Sequence, residues 1–271
     1  MTVTLDRSDD GQIATLRFAT DHPLNVFTTE LLEELLDKVR ELRADRTVRV
    51  VLLTGRETVF SGGADLGYLG GLDPEAYRHY MATEYTLFAE VEILPMITVA
   101  VIAGPCVGNA TELALACDFR ICSADTRIGL PEMRVGFVSP AQRLTAYLGI
   151  GKAKELIYDG RLLPAREALD LGLVTSVADD LTAEVDKAAR RYAGYSPYAL
   201  PFTKLGIQRC YGVTGEVPAR DYDRDEQAAA IATFHGPDFP EGAAAALEGR
   251  RPVFTSRRPE SVATALRDSA R

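Results

Sequence analysis

At 271 residues, 46% hydrophobic and 25% charged, the chain is long enough to bury about three quarters of its unfolded surface in a globular fold. Its formal charge of −9, from 39 Asp and Glu against 30 Lys and Arg, argues against nucleic acid as the main ligand, because phosphate binding needs a basic face. The longest apolar stretch, Met96 to Ala103, is far short of a membrane span, and Met1–Arg7 lacks the build of a signal peptide, so a soluble, cytoplasmic protein with no membrane partner is expected.

Thr2–Leu5 and Ile13–Phe18 alternate in polarity around Asp9-Asp10-Gly11, the pattern of a hairpin. Thr28–Arg43 carries Leu31, Leu32, Leu35, Val39 and Leu42 on a helical stripe, with Thr28 or Thr29 as its N-cap. Val48–Gly55 reads as a buried strand, and the glycine-rich Ser61–Gly63 follows it. Pro74–Leu94 predicts a long helix, and Ile97–Ile102 a second buried strand that runs into a turn at Ala103-Gly104-Pro105. Glu112–Cys117 is then a short helix and Phe119–Cys122 a returning strand. Strand, turn and helix thus recur in an α/β order with crossovers. From about Pro140 helices dominate, over Gln142–Leu148, Lys152–Tyr158, Ala165–Leu171, Leu181–Gly194, Pro201–Tyr211, Arg220–Thr233 and Pro240–Leu247, with glycines at 149, 151, 160 and 172 as end signals. The cysteines at 106, 117, 122 and 210 form no CxxC pair and read as buried thiols. His22, His79 and His235 lack ligand spacing, so no metal site is expected.

Two glutamates stand beside turns of small residues, Glu112 in Gly108-Asn109-Ala110-Thr111-Glu112 and Glu132 in Gly129-Leu130-Pro131-Glu132-Met133. Before Glu112 a buried strand ends and a helix begins near Thr111, whose first N–H groups lack intrahelical partners and carry the positive end of the helix dipole. Small residues at 108 to 110 let a ligand approach those donors, an arrangement suited to an oxyanion. The earlier loop Phe60-Ser61-Gly62-Gly63-Ala64-Asp65-Leu66 is placed to supply an opposing donor. Glu112 lies among Leu113, Ala114, Leu115 and Ala116, and Glu132 follows Pro131 and a short apolar run. Burial raises a carboxyl pKa toward neutrality, where the group serves as acid or base. Plainer readings stand beside this one: ordinary glycine turns, a first-turn carboxylate favoured by the dipole at 112, and a surface loop residue at 132. Ser61–Ala64 lacks the GK[ST] ending of a phosphate loop, and Gly136-Phe137-Val138-Ser139-Pro140 lacks the fifth-position glycine of a nucleophile elbow.

At these residues the chain resembles the crotonase superfamily of enoyl-CoA hydratases and isomerases, from Met1 to about Phe254. The resemblance rests on Phe60–Leu66, on Val101–Asp118 with its Glu-Leu-Ala-Leu-Ala-Cys-Asp ending, on Leu130–Gly136, on Gln142-Arg143-Leu144 and on Ala165–Val174. It implies an α/β fold, a spiral of ββα units over 1–195, then a helical C-terminal region over 196–254 that serves packing and trimerisation. Residues 255–271 are expected to form a mobile tail. The resemblance also implies a homotrimer or dimer of trimers that acts on an acyl-CoA thioester, or the same acyl group on an acyl carrier protein, with no cofactor because CoA is part of the substrate.

By the same resemblance the thioester carbonyl is held by the N–H groups of Ala64 and Asn109, with Gly108 alongside. Ala64, Asp65, Leu66 and Gly67 pass along the pantetheine, and Pro23 and Leu24 lie near the nucleotide. Glu112 holds and activates water while Glu132 transfers the proton at the α-carbon, a pair that favours hydration of a 2-enoyl-CoA. The alternatives are a double-bond isomerase with Glu132 as its proton shuttle, and a non-catalytic acyl-CoA-binding scaffold. Two departures from the family pattern bear on the choice. Gly108-Asn109-Ala110 replaces the family's run of glycines, which keeps the N–H of residue 109 and adds a polar side chain beside it. Gly136–Leu144 is shorter than the hydratase loop that helps to place water, which makes isomerisation the rival.

Overall fold

Alternating residues at Thr2–Arg7 (β1) and Ile13–Ala19 (β2) pair antiparallel, with Thr2 opposite Ala19 and Arg7 opposite Ala14. The computed structural model describes residues 1–135, 137, 139–210, 236–262 and 264, so the helix expected over 220–233 lies outside the described residues. Beyond the hairpin the sheet is parallel: β2 is followed by β3 (Val50–Thr54), β4 (Ile97–Ile102), β6 (Phe119–Ser123) and β9 (Ser176–Ala178). β3 is apolar from Val50 to Leu53 because both of its faces are covered. Val50 and Leu52 pack with Val185, Ala188 and Ala189 of α7 (Leu181–Ala193), while Val51 and Leu53 join the main core on the opposite face.

A smaller sheet holds β5 (Pro105–Val107), β7 (Arg127–Gly129) and β8 (Leu163–Pro164). Single bridges at Ser61–Cys106 and Phe27–Ala64 carry this layer back to the loop after β3. Two turns of the chain lay one strand in the large sheet, step to the small one and leave through a helix. The sequence β4, β5, α4 (Asn109–Ala116) is one such turn. The next is β6, β7, a 3-10 turn (Glu132–Val135) and α5 (Gln142–Asp159). This is the spiral of ββα units expected from the sequence.

Three local details differ from the sequence reading. The turn at residues 103–105 is only partly a turn, since Pro105 opens β5, whose three residues are too few to show a period. Helix α4 begins at Asn109 rather than near Thr111, because Gly108 stands as its N-cap. The two helices expected over 142–158 are one hydrogen-bonded run broken inside at Gly149, which has φ of 73°.

Helix α1 (Thr29–Ala44) starts where Thr28 accepts a bond from the Leu31 N–H at 3.4 Å, and buries Leu31, Leu32, Leu35, Leu36, Val39 and Leu42. Burying each such side chain stabilises the fold by about 1.5–3 kcal/mol. Its partner is α3 (Pro74–Glu92), which opens on an Asp73 cap with proline in the first turn, the position where a missing N–H costs nothing. The short α2 (Leu66–Gly71) precedes α3, and α6 (Ala165–Asp170) links β8 to β9. Helices α8 (Leu200–Cys210) and α9 (Phe239–Glu248) follow α7.

The arginine-rich stretch after α9 returns to the corner between α1 and β3. Arg46 donates to the Arg258 carbonyl at 2.9 Å, Arg49 to the Phe254 carbonyl at 2.8 Å, and the buried Arg258 to the Arg43 carbonyl at 3.1 Å. Cys106, Cys117 and Cys122 are free and buried, and burial pushes each thiol up, as a packing role requires. Among the described residues no helix is long and apolar enough to cross a membrane.

Candidate active site

The loop after β3, helices α2 and α3, the start of α4 and the 3-10 turn after β7 converge on one cavity of about 360 Å³. Leu66, Leu69, Met81, Tyr85 and Phe137 make its apolar walls, and Glu84, Glu112 and Glu132 are its carboxyl groups. Of the residues singled out in the sequence, Ala64, Leu66, Gly108, Asn109, Glu112 and Glu132 therefore line one space. Asp65 and Gly67 are not on that lining. Asp65 caps α2, its Oδ1 accepting from the N–H groups of Gly67 at 2.8 Å and Tyr68 at 3.0 Å. Pro23 and Leu24 are exposed at the approach, where the Leu24 carbonyl accepts from the N–H of Gly62, a lining residue, at 2.7 Å.

Backbone geometry sets the donors. Gly63 has φ of 82°, and a Cβ there would lie 2.5 Å from the Val107 carbonyl oxygen, so only glycine lets the loop close against β5. Gly108 has φ of 63° and offers no side-chain cap to α4, so the helix starts against the cavity lining with only the Gly108 carbonyl accepting, from the Thr111 N–H at 2.8 Å. The Thr111 hydroxyl donates to the Cys106 carbonyl at 2.7 Å and sits 3.0 Å from the Gly129 carbonyl, tying the first turn of α4 to both short strands.

The Ala64 N–H, expected to hold a ligand carbonyl, holds here the side-chain oxygen of Asn109 at 2.9 Å. The Asn109 Nδ2 donates in turn to Glu84 Oε1 and, at 3.5 Å, to the Tyr80 hydroxyl. Tyr80 itself donates to Glu84 at 3.1 Å.

The three carboxyl groups differ in their partners. Glu112, 5% exposed, meets Arg143 of α5 at 2.7 Å through Oε1, and Arg143 also binds Glu92 at 2.8 Å. Burial pushes the Glu112 pKa up, against the pull of Arg143. Glu132 accepts from the Ser139 hydroxyl at 3.0 Å through Oε2, while its Oε1 is buried with no partner among the described residues. Burial raises Glu132 too, opposed only by neutral hydrogen bonds. Glu84, 3% exposed, is pushed up to about 7 by burial, with Asn109 and Tyr80 pulling the other way.

Sequence reasoning missed Glu84, Tyr80 and the roles of Ser139 and Arg143. A signal for Glu84 existed: it shares a helical stripe with Tyr80, Leu87, Phe88 and Val91, all buried, and a carboxylate on an apolar stripe is anomalous. Arg143 stood in a quoted motif, but its partner Glu112 lies on another element.

Carboxyl groups of raised pKa beside a helix start that no side chain caps, in an apolar cavity, are chemistry suited to proton transfer next to a carbonyl. Comparison with known proteins agrees in kind. The family model described as enoyl-CoA hydratase/isomerase matches residues 8–257. A probable enoyl-CoA hydratase of Bacillus subtilis is 33% identical over 241 residues, 86% of this chain and 91% of the relative. A crotonyl-CoA hydratase of Syntrophomonas wolfei is 30% identical, over 92% of this chain and 96% of its own. The crystal structure of an enoyl-CoA hydratase from Bacillus anthracis superposes with a TM-score of 0.86 at 32% identity, covering 94% of this chain and 99% of that one. With the spiral of ββα units, the paired site loops and a family match along nearly its whole length, the chain belongs to the enoyl-CoA hydratase/isomerase family of crotonase-fold enzymes.

Proposed function

We propose that the chain hydrates a 2-enoyl-CoA to the 3-hydroxyacyl-CoA, with Glu112 as the base toward water and Glu132 as the acid toward C2. The observation that carries this reading is that two carboxyl groups of unlike surroundings, Glu112 buried and Glu132 half-buried, face one cavity. The hydratase relatives reported above favour the same reaction. Arg143 favours the ionised form of Glu112, whereas burial without a cation favours the protonated form of Glu132, which suits the first to the role of base and the second to that of acid. In the reaction a water O–H bond breaks, its oxygen adds to C3 and its proton passes to Glu112. Charge moves onto the thioester oxygen, which the N–H groups of Ala64 and Asn109 stabilise as an enolate. Glu132 then gives its proton to C2, and the two carboxyls exchange a proton with solvent to reset.

A second reading, isomerisation by Glu132 alone, draws on the same Arg143 contact. An ion-paired Glu112 is also what a site would have if that residue served only to balance charge. Proton NMR of a 2-enoyl-CoA in D₂O separates the two. Hydration gives a 3-hydroxyacyl product with one deuterium at C2, whereas migration or exchange of the double bond without added water identifies the isomerase. Glu132→Gln lowers turnover by about 10²–10⁴-fold in either case while thioester binding persists. Glu112→Gln abolishes hydration but leaves isomerisation nearly intact. Full activity of Glu132→Gln would overturn the assignment of the site.

A further inference from the structure

Position 109 contributes a backbone N–H to the start of α4, and a glycine there would leave the space in front of Ala64 open. Asn109 instead lays an amide group across it. Oδ1 accepts from the Ala64 N–H at 2.9 Å, and Nδ2 is held from the far side by Glu84 and Tyr80. The Ala64 N–H fixes the orientation of that amide, because reversal would set an NH₂ group against a group that can only donate. The group resting on Ala64 is therefore a carbonyl oxygen, the same chemistry as the oxygen of a thioester. Glu84 and Tyr80 lie one helical turn apart on α3, both buried, and so form a rigid catch.

We propose that the Asn109 side chain is an intramolecular stopper in the oxyanion position, latched by Glu84 and Tyr80, which a thioester carbonyl must displace to reach the Ala64 N–H; this rests on the assignment of that N–H to the oxyanion hole above. Glu84 is then a positioning residue, acting on the hole through Asn109. A ligand carbonyl that enters exchanges one neutral hydrogen bond for another, so its ground-state gain is small. An enolate oxygen, which bonds about twice as strongly, competes far better with the amide. The stopper thus biases the site against carbonyl groups that cannot develop negative charge.

Two measurements on the full chain test this, one of them independent of any ligand. Hydrogen exchange of the Ala64 amide, followed by NMR, accelerates at least about tenfold in Asn109→Ala if the side chain covers that group. Unchanged exchange overturns the stopper, and Asn109→Gly repeats the comparison with the smallest residue. Calorimetry then compares butyryl-CoA with free CoA, which lacks the thioester carbonyl. Asn109→Ala tightens butyryl-CoA binding by about three- to tenfold and leaves CoA unchanged. Faster exchange without tighter butyryl-CoA binding keeps the latch and overturns the assignment of Ala64 to the hole. At about pH 8, where the parent carboxyl is ionised, Glu84→Gln keeps the acceptor oxygen but removes its charge and so loosens the catch; it tightens butyryl-CoA in the Asn109 chain and has no effect in the Asn109→Ala chain. An equal shift in both chains means that Glu84 touches the ligand directly, and overturns its positioning role.

Discussion

Replacing Glu84 with Gln measures what a buried carboxyl group costs this fold. Burial moves the group from an ordinary 4.5 up to about 7, and the like charges of Glu112 and Glu132 act in the same direction. Between those two values the folded chain keeps a proton that the unfolded chain has released. Stability therefore falls as pH rises from about 4.5 to about 7, and levels off above that. Across that interval, at about 1.4 kcal/mol per pH unit, the loss comes to about 3 kcal/mol by pH 8. The glutamine side chain has the shape of the protonated acid and retains an oxygen for the Asn109 amide, but it cannot ionise. The Glu84→Gln variant is accordingly close to the parent at about pH 5 and more stable by about 3 kcal/mol at about pH 8. Urea unfolding of both chains at the two pH values reads this difference, and subtracting parent from variant removes the titrations that the two chains share. An equal difference at both pH values would show that Glu84 does not ionise against the fold, and would refute the reasoning.

Three further perturbations bear on the site. Arg143→Gln removes the cation opposite Glu112, whose pKa then rises further, so the acid limb of the pH profile of kcat/KM moves to higher pH; an unmoved limb denies Glu112 the role of base. Ser139→Ala takes the hydroxyl from Glu132, which raises that carboxyl and carries the alkaline limb of the same profile upward. A limb that stays put means that Glu132 is not the acid. Gly63→Ala forces a side chain into left-handed backbone and within 2.5 Å of the Val107 carbonyl, and costs at least about 1–3 kcal/mol. A melting temperature equal to the parent's would contradict the loop geometry that presents Ala64.

Elements held by local rules were legible in the sequence. The leucines of α1 repeat at helical spacing and Thr28 caps the helix as its chemistry requires. β3 and β4 read as buried strands because both faces are covered and polar alternation disappears. The small sheet was not legible: β5, β7 and β8 have two or three residues each, and what fixes them is pairing with one another and with Ser61 across distant chain. The same division holds at the site. Small-residue turns announced Glu112 and Glu132, and the family pattern gave them roles. The catch on Asn109 depends on where α3 lies relative to α4, a tertiary fact, so the backbone N–H at 109 was legible and the destination of its side chain was not.

At Gly108 the needs of the backbone and of the chemistry coincide. Its φ of 63° and ψ of −135° suit glycine alone, and a Cβ there would lie 3.1 Å from Glu132 Oε1. Lacking a side chain, it caps α4 only through its backbone carbonyl, whereas α1, α2, α3 and α7 each use a Thr or Asp side chain on their first N–H groups. Thr111 makes up the anchorage by gripping the Cys106 and Gly129 carbonyls, and Gly129 ends the strand that leads to Glu132. The Gly108 N–H also donates to the Gly129 carbonyl, at 2.9 Å. The donors of α4 and the carboxyl of Glu132 are thus held to one another by short-strand backbone rather than by flexible side chains. Glu112, one helical turn beyond Gly108, inherits its position from the same anchorage. The relative placement of Glu112, Glu132 and the first N–H groups of α4 follows from where β5 and β7 pair, so Gly108 and Thr111, with no acid–base chemistry of their own, shape the cavity alongside the glutamates.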